Sequence, residues 1–419
     1  MSIQVTELEN GLRVATDMMA DAESVAVGAW VGVGTRHEPW NANGVAHLVE
    51  HMMFKGTKTR SAYVLSAAIE NAGGSMNAHT SREQTAYYAR VLPEEAENAV
   101  DVIADMLRHS RFDAKELARE KQVVIQEIGR DLDTPEDHAF DLMYALAMPK
   151  QKIGRPILGT ADVIAKLPRA ALTNYVARHY AAANMVLVAA GKIAHEDFVA
   201  MVKKRFGSLP RGRAPKQEKA RVKGGAKLVD KEIEQVHLIL GFAGPGYHAG
   251  HYYATQLLAV LLGGSASSRL FQKVREKRGL VYTVSASHGG FGDAGIFQIY
   301  AGTDPKRLRE LVPVMCAELR DVVQKVTRGE LERAKAQIRA ELLMGQESVM
   351  RRAERLGHQI LAFGKPVPSE RVLKKLAAVT QEDVRAVAGK IFGGAPILTA
   401  LGPLGELEDY RKIAARLAG

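Results

Sequence analysis

The order strand, strand, glycine-containing turn, helix occurs twice in this chain, offset by 208 residues. In the first half an alternating strand runs from Val5 to Thr16 and a second from Ser24 to Val31, followed by a Gly-rich turn and a helix around His47. In the second half Lys227-Leu228-Val229 and the strand Gln235 to Phe242 lead through a Gly/Pro turn into a helix from Tyr252 to Leu262. Each half continues as helices and further strands, including Gln84 to Val91 and Gly295 to Ala301. Strands mixed with helices in this way predict an α+β chain of two similar domains. A chain of 419 residues is long enough for two cores. The basic stretch from Pro210, with its Pro and Gly residues, reads as a solvated linker. The expected division is a first domain at 1–209, a linker at 210–226 and a second domain at 227–419.

Composition matters mainly for what it excludes. Hydrophobic content of 47% and charged content of 25% belong to an ordinary globular protein. Cys316 is the only cysteine, so neither an intrachain disulfide nor a cysteine-built zinc site is available. The net charge of +10 is partly concentrated in the linker and comes with no nucleic-acid-binding motif, so no nucleic-acid partner is expected. The N-terminus shows neither a basic region nor an apolar one, and the longest apolar run, around Leu257 to Leu262, is core-sized. The expectation is a cytoplasmic protein with no membrane partner.

The chemistry concentrates in His47-Leu48-Val49-Glu50-His51. Positions i and i+4 of a helix share a face, so two imidazoles can grip one metal ion. Glu50, one position earlier than His51, can reach a water on that ion. This is the H-x-x-E-H arrangement of inverted zinc peptidases. Two exposed histidines on an amphipathic helix satisfy the same pattern. A third ligand is needed. Asp113 and Glu116 mark a helix start, and the helix runs on through Ile128. Glu120 and Glu127 lie two turns apart on one otherwise apolar face of it. On spacing alone, a solvated pair of glutamates is the more common explanation. Shifted by 208 residues, His47, Glu50 and His51 fall on Thr255, Leu258 and Ala259, so only the first half carries metal chemistry.

The run from Gly44 to Thr57, GVAHLVEHMMFKGT, resembles the signature of the pitrilysin-type (M16) metallopeptidases, closest to the mitochondrial-processing-peptidase-like branch in its bacterial form. The resemblance extends to Asn77 through Ser81, Phe140-Asp141, Gly154 through Gly159, Ala183 through Gly191 and Ser267 through Phe271. It implies two homologous α/β-roll domains, each a mixed, mostly antiparallel sheet packed with helices in the metallopeptidase-like fold. It implies a zinc metalloendopeptidase with one Zn2+ per chain on His47, His51 and Glu127. Glu50 is then the general base and Glu120 a supporting carboxylate. Asn77 and Ala78 would lie on the edge strand that receives the peptide, with Phe54 also on the substrate side. Arg275 and Tyr282, seven residues apart in the second half, would bind substrate and steady the developing oxyanion. Asp137 and Asp141, ten and fourteen residues after Glu127, match acidic positions that receive a basic side chain near the cleaved bond; on spacing alone they solvate a helix after Pro135.

The same resemblance implies a clamshell of two subunits around a chamber that takes unfolded peptides or presequence-like segments. One polypeptide carries both the zinc motif and the Arg/Tyr pair, which points to a homodimer; members that split these roles form heterodimers with a related subunit. The rival reading is a metal-free structural subunit of a larger complex. The intact ligand set argues against it, and Leu262-Gly263-Gly264-Ser265 is too short for the flexible glycine loop of non-catalytic subunits.

Overall fold

The computed structural model describes residues 3–418; residues 1, 2 and 419, at the ends of the two expected domains, lie outside the description. The first half contains β1 (Ile3–Glu7), β2 (Arg13–Met18), β3 (Val25–Val31), α1 (Val45–Met53), α2 (Ala62–Glu70), β4 (Ser75–Thr80), β5 (Thr85–Val91), α3 (Ala96–His109), α4 (Ala114–Asp133), α5 (Pro135–Ala147), α6 (Ala161–Lys166), α7 (Arg169–His179), β6 (Met185–Gly191) and α8 (His195–Phe206). The second contains β7 (Gly225–Asp230), β8 (Val236–Gly244), α9 (Tyr252–Gly263), β9 (Thr283–Gly290), β10 (Gly295–Thr303), α10 (Leu308–Gln324), α11 (Arg328–Met344), α12 (Val349–Phe363), α13 (Ser369–Ala378), α14 (Gln381–Phe392), β11 (Ile397–Gly402) and α15 (Tyr410–Ala418). The alternating stretch Val5 to Thr16 is a hairpin rather than one strand. The turn falls at Asn10-Gly11, where Gly11 takes a positive φ of 83° and Asn10 Oδ1 accepts the Leu12 N–H at 3.1 Å. Such a pair favours a reversal over a continued strand.

The repeat is a repeat of topology. The first sheet runs β1-β2-β6-β3-β5-β4 and the second β7-β11-β8-β10-β9. Without β1, the two orders correspond strand for strand. In each, one parallel pair (β2 with β6, β7 with β11) stands beside antiparallel ones. This is the mixed, mostly antiparallel α+β architecture expected.

Each sheet belongs to its own compact unit, and neither unit is a continuous stretch of chain. The first comprises residues 1–130, 155–218 and 343–367; the second comprises 131–154, 219–342 and 368–419. The expected linker at 210–226 overlaps the start of β7 at Gly225, and the division between the units falls within it, at 218/219. Residues 131–154 and 343–367, however, are found in the unit of the opposite half.

The faces of the first sheet explain why. On β3, Val25, Val27, Ala29 and Val31 enter the main core, with α1 residues such as Val45, Leu48 and Val49 and with α3 and α8. Ala26 and Trp30 point the other way, as period-two geometry requires. They join Val186, Val188 and Ala190 of β6 in a second apolar layer, closed by Val349, Ala353, Leu356 and Ile360 of α12. In the second unit α9, α10, α14 and α15 cover one face of the sheet. The other face packs Ile239, Ile296 and Ile397 against Ala139, Met143 and Ala147 of α5. Each half of the chain thus donates one helix to the back of the other half's sheet. A strand buried on both faces reads as a continuous apolar run, which is what β3 and β6 are.

Candidate active site

Helix α1 begins abruptly. Gly44 precedes it with φ 87°, and a Cβ there would lie 2.5 Å from the Leu158 carbonyl oxygen. Glycine has no side chain to cap the first free N–H groups of a helix. Glu38 does this instead. Its fully buried carboxylate accepts Gly44 N–H and Asn43 Nδ2 on Oε2, at 3.0 and 2.9 Å, and Ala46 N–H on Oε1 at 3.0 Å. Arg155 Nη2 stands 3.5 Å away. Burial pushes the Glu38 carboxyl up to about 7, against the pull of those donors and of Arg155. Past the far end of the helix, Thr57 Oγ1 donates to the buried Asp105 on α3 at 2.7 Å, and Thr59 and Arg60 share that carboxylate. The helix is therefore fixed at both ends.

Between these anchors His47 and His51 lie one turn apart with ring centroids 4.6 Å apart. Helix α4 brings two carboxylates to them. Glu127 Oε2 is 3.9 Å from His47 Nε2 and 3.5 Å from His51 Nε2. Glu120 is buried and accepts from His51 Nδ1 at 3.0 Å, while its other oxygen meets Lys55 Nζ at 2.7 Å. The two glutamates thus take opposite nitrogens of one imidazole. With Glu120 on its Nδ1, His51 presents its Nε2 to the same point as Glu127.

One donor atom from each of His47, His51 and Glu127 lies within 4.8 Å of the others, and among the described residues this is the only such group of metal-binding side chains. Burial and the neighbouring His51 lower the His47 pKa to about 4, which keeps the ring in the neutral form a metal takes. Two imidazoles and a carboxylate suit a zinc ion with an open fourth position.

Glu50 is half-buried on the same helix. Its Oε2 accepts from Thr80 Oγ1 of β4 at 2.5 Å. Burial raises its pKa, and Glu127 adds to the rise while Thr80 and His51 oppose it. β4 is the edge strand of the first sheet. Along it Asn77 is exposed and Ala78 buried, and the Ala78 N–H is taken by Asn77 Oδ1 at 2.8 Å. Phe54 is half-buried at the C-terminal end of α1, against the main core.

The remaining candidates lie in the second unit. Asp137 and Asp141 stand on α5. They gather with Asp131, whose carboxyl is raised by burial and then by Asp141 and Asp137. Arg275 is exposed, in a π-helical turn at Phe271–Glu276, with its guanidinium 4.7 Å from the centre of the Phe271 ring. Tyr282 is 61% exposed and immediately precedes β9, the edge strand of its sheet. The structure therefore brings His47, Glu50, His51, Glu120 and Glu127 together in one unit and holds Asp137, Asp141, Arg275 and Tyr282 in the other. Sequence reasoning missed Glu38, Lys55 and Thr80. Lys55 and Thr80 lie inside segments singled out above, but nothing in their spacing marks a role.

Residues 13–161 match the family described as Insulinase (Peptidase family M16), and residues 166–338 match the Peptidase M16 inactive domain. An uncharacterized zinc protease of Rickettsia felis is 37% identical over 96% of this chain and 98% of its own length. This chain belongs to the peptidase M16 family. An uncharacterized zinc protease of Bacillus subtilis is 38% identical over 95% of this chain and 98% of its own. The fold is that of a peptidase M16 inactive domain from Pseudomonas fluorescens, with TM-score 0.89 and 23% identity over 97% and 99% of the two chains. It is also that of a chain in complex III2 from Candida albicans, with TM-score 0.89 and 20% identity over 99% of both. The match of the second half to an inactive domain agrees with Thr255, Leu258 and Ala259 standing where the first half has its motif. Among the described residues no helix is long and apolar enough to cross a membrane.

Proposed function

We propose that this M16 chain is a zinc endopeptidase that holds one zinc ion on His47, His51 and Glu127. The convergence of those three donors within 4.8 Å, with Glu50 on the same helix, carries the reading. When bound, zinc supplies Lewis acidity to a peptide carbonyl and acidifies a neighbouring water. Glu50 takes the proton from the water and passes it to the leaving amine; its raised pKa moves it toward the range a general base needs. Glu120, braced by Lys55, orients His51. The peptide adds as a strand along the outer edge of β4, beside Phe54, and the Ala78 N–H exchanges Asn77 Oδ1 for a peptide carbonyl.

The substrate is an unfolded or presequence-like peptide with a basic residue near the cleaved bond, received by Asp137 and Asp141. The mutual repulsion of Asp131, Asp137 and Asp141 supports this, because such a concentration of negative charge favours a cation. Arg275 and Tyr282 bind substrate and steady developing charge. They do so in a partner subunit's site, within a homodimer that closes around a chamber. Their exposure leaves both free to engage a ligand.

Purified protein should carry zinc and cleave peptides, and chelation should stop cleavage. Glu50→Gln should keep zinc and lower kcat by about 100-fold or more. Glu127→Ala should lose zinc and activity together. Peptides with Arg before the bond should be preferred to those with Ala or Glu. A Glu50→Gln protein that cleaves normally refutes the peptidase reading. A folded, zinc-free, inactive wild type supports the structural-subunit alternative. For the dimer, mixing inactive Glu50→Gln with inactive Tyr282→Phe should restore partial activity, and exchange of subunits without recovery excludes a site shared between them.

A further inference from the structure

This inference rests on the zinc-peptidase reading and concerns how its base is aimed. The terminal torsion of a glutamate is broad and two-fold, so a carboxylate at the end of Glu50 has no orientation of its own. In this fold one oxygen is fixed. Glu50 Oε2 accepts the Thr80 hydroxyl at 2.5 Å, which leaves Oε1 for a proton. Thr80 is suited to the task, because branching at Cβ restricts its χ1. It is also the last residue of β4. Side chains of Met76, Ala78 and Thr80 share the strand face turned toward the main core, where α1 also packs. Among the described residues the strand's outer edge pairs with no other strand, and two residues before Thr80 the Ala78 N–H is held by Asn77 Oδ1.

We propose that Thr80 is a positioning residue for Glu50: its hydroxyl aims the base and ties that aim to the strand on which the peptide docks. Peptide pairing replaces the Asn77 bond and stiffens β4, and the hydroxyl at the end of the same strand carries that order to the carboxylate. The contribution of Thr80 then falls on turnover, not on metal or peptide affinity.

Thr80→Val keeps the shape and removes the donor. Compared with wild type and Glu50→Gln, it should bind zinc at full stoichiometry and keep KM within about twofold. Its kcat should fall about 10- to 100-fold, the worth of one hydrogen bond to a charged group. Thr80→Ser should recover most of that loss. If Thr80→Val does not fold, the ratio of kcat between Thr80→Ser and Thr80→Ala makes the same comparison. A Thr80→Val enzyme at wild-type kcat, with Glu50→Gln inactive, overturns this inference alone. So does a loss that lies in zinc content or KM. Equal turnover by wild type and Glu50→Gln removes the peptidase reading and this inference with it.

Discussion

Glu38 has no part in the chemistry, yet the zinc motif depends on it, because Gly44 cannot cap its own helix. Its carboxyl is raised by burial to about 7 in the folded chain, against 4.5 when solvated. The folded state therefore holds this proton more tightly than the unfolded state does. The resulting stabilisation is complete below about pH 4.5 and is lost as pH rises through about 7, an effect on the order of 3 kcal/mol at most. With zinc chelated, the wild-type melting temperature should fall between pH 5 and pH 8 more steeply than that of Glu38→Gln. The comparison reads a slope, so the cost of placing an amide N–H against Gly44 N–H does not enter. Equal slopes refute the assignment. At this scale the sequence was uneven. His47, Glu50 and His51 were legible because one helical turn dictates their geometry. Glu127 needed the family resemblance, since two carboxylates seven residues apart are more commonly solvated than ligated. Glu38 and Thr80 were invisible, because both act through contacts across loops and strands that no local spacing encodes.

Among the elements, strands β3, β8 and β10 were legible from their apolar runs, whereas the β1–β2 hairpin was not, although its Asn10-Gly11 pair was a signal available for it. The segment Ser267 to Phe271 carried the family resemblance, and the fold gives it a structural reason. Arg269 is buried and makes a two-pronged contact with Glu330 at 2.7 and 2.9 Å, with a third bond to Asp321 at 2.8 Å. Burial raises the Glu330 carboxyl, but the Arg269 fork and Thr327 outweigh it and hold it at about 2. The sharpest packing constraint is on α12. A Cβ at Gly357 would lie 2.5 Å from the Trp30 indole, which is itself fully buried. In an open helix Gly→Ala gains about 1 kcal/mol. Against a ring that cannot move aside, overpacking prevails, and Gly357→Ala should lower stability by about 1–3 kcal/mol. Chemical denaturation followed by Trp30 fluorescence, in a Trp40→Phe background, measures it. A stabilised variant shows that the helix shifts freely on the sheet.

For the molecule as a whole, the repeat foretold two similar sheets but not the exchange of helices between halves. Hydrophobic periodicity shows that a helix has an apolar face; it does not say which sheet that face will cover. α12 lies about 130 residues past the linker along the chain, yet Val349, Ala353, Leu356 and Ile360 close the layer over Ala26, Trp30 and Val188. α5 does the same for Ile239, Ile296 and Ile397. A domain with its own core can ordinarily fold alone. Each half holds a main core of its own, but each lacks the helix that covers the second face of its sheet. Residues 1–218 made alone would expose the Trp30 layer, and residues 219–419 made alone would expose the Ile239 layer. An uncovered apolar sheet face of this kind promotes association. Each fragment should therefore be aggregated or lack a cooperative thermal transition when expressed singly. Expressed together from two reading frames, they should yield a soluble 1:1 complex that binds zinc as the intact chain does. If residues 1–218 alone form a monomer that melts cooperatively and binds zinc with unchanged affinity, α12 is dispensable to the catalytic half and the exchange has no bearing on its folding.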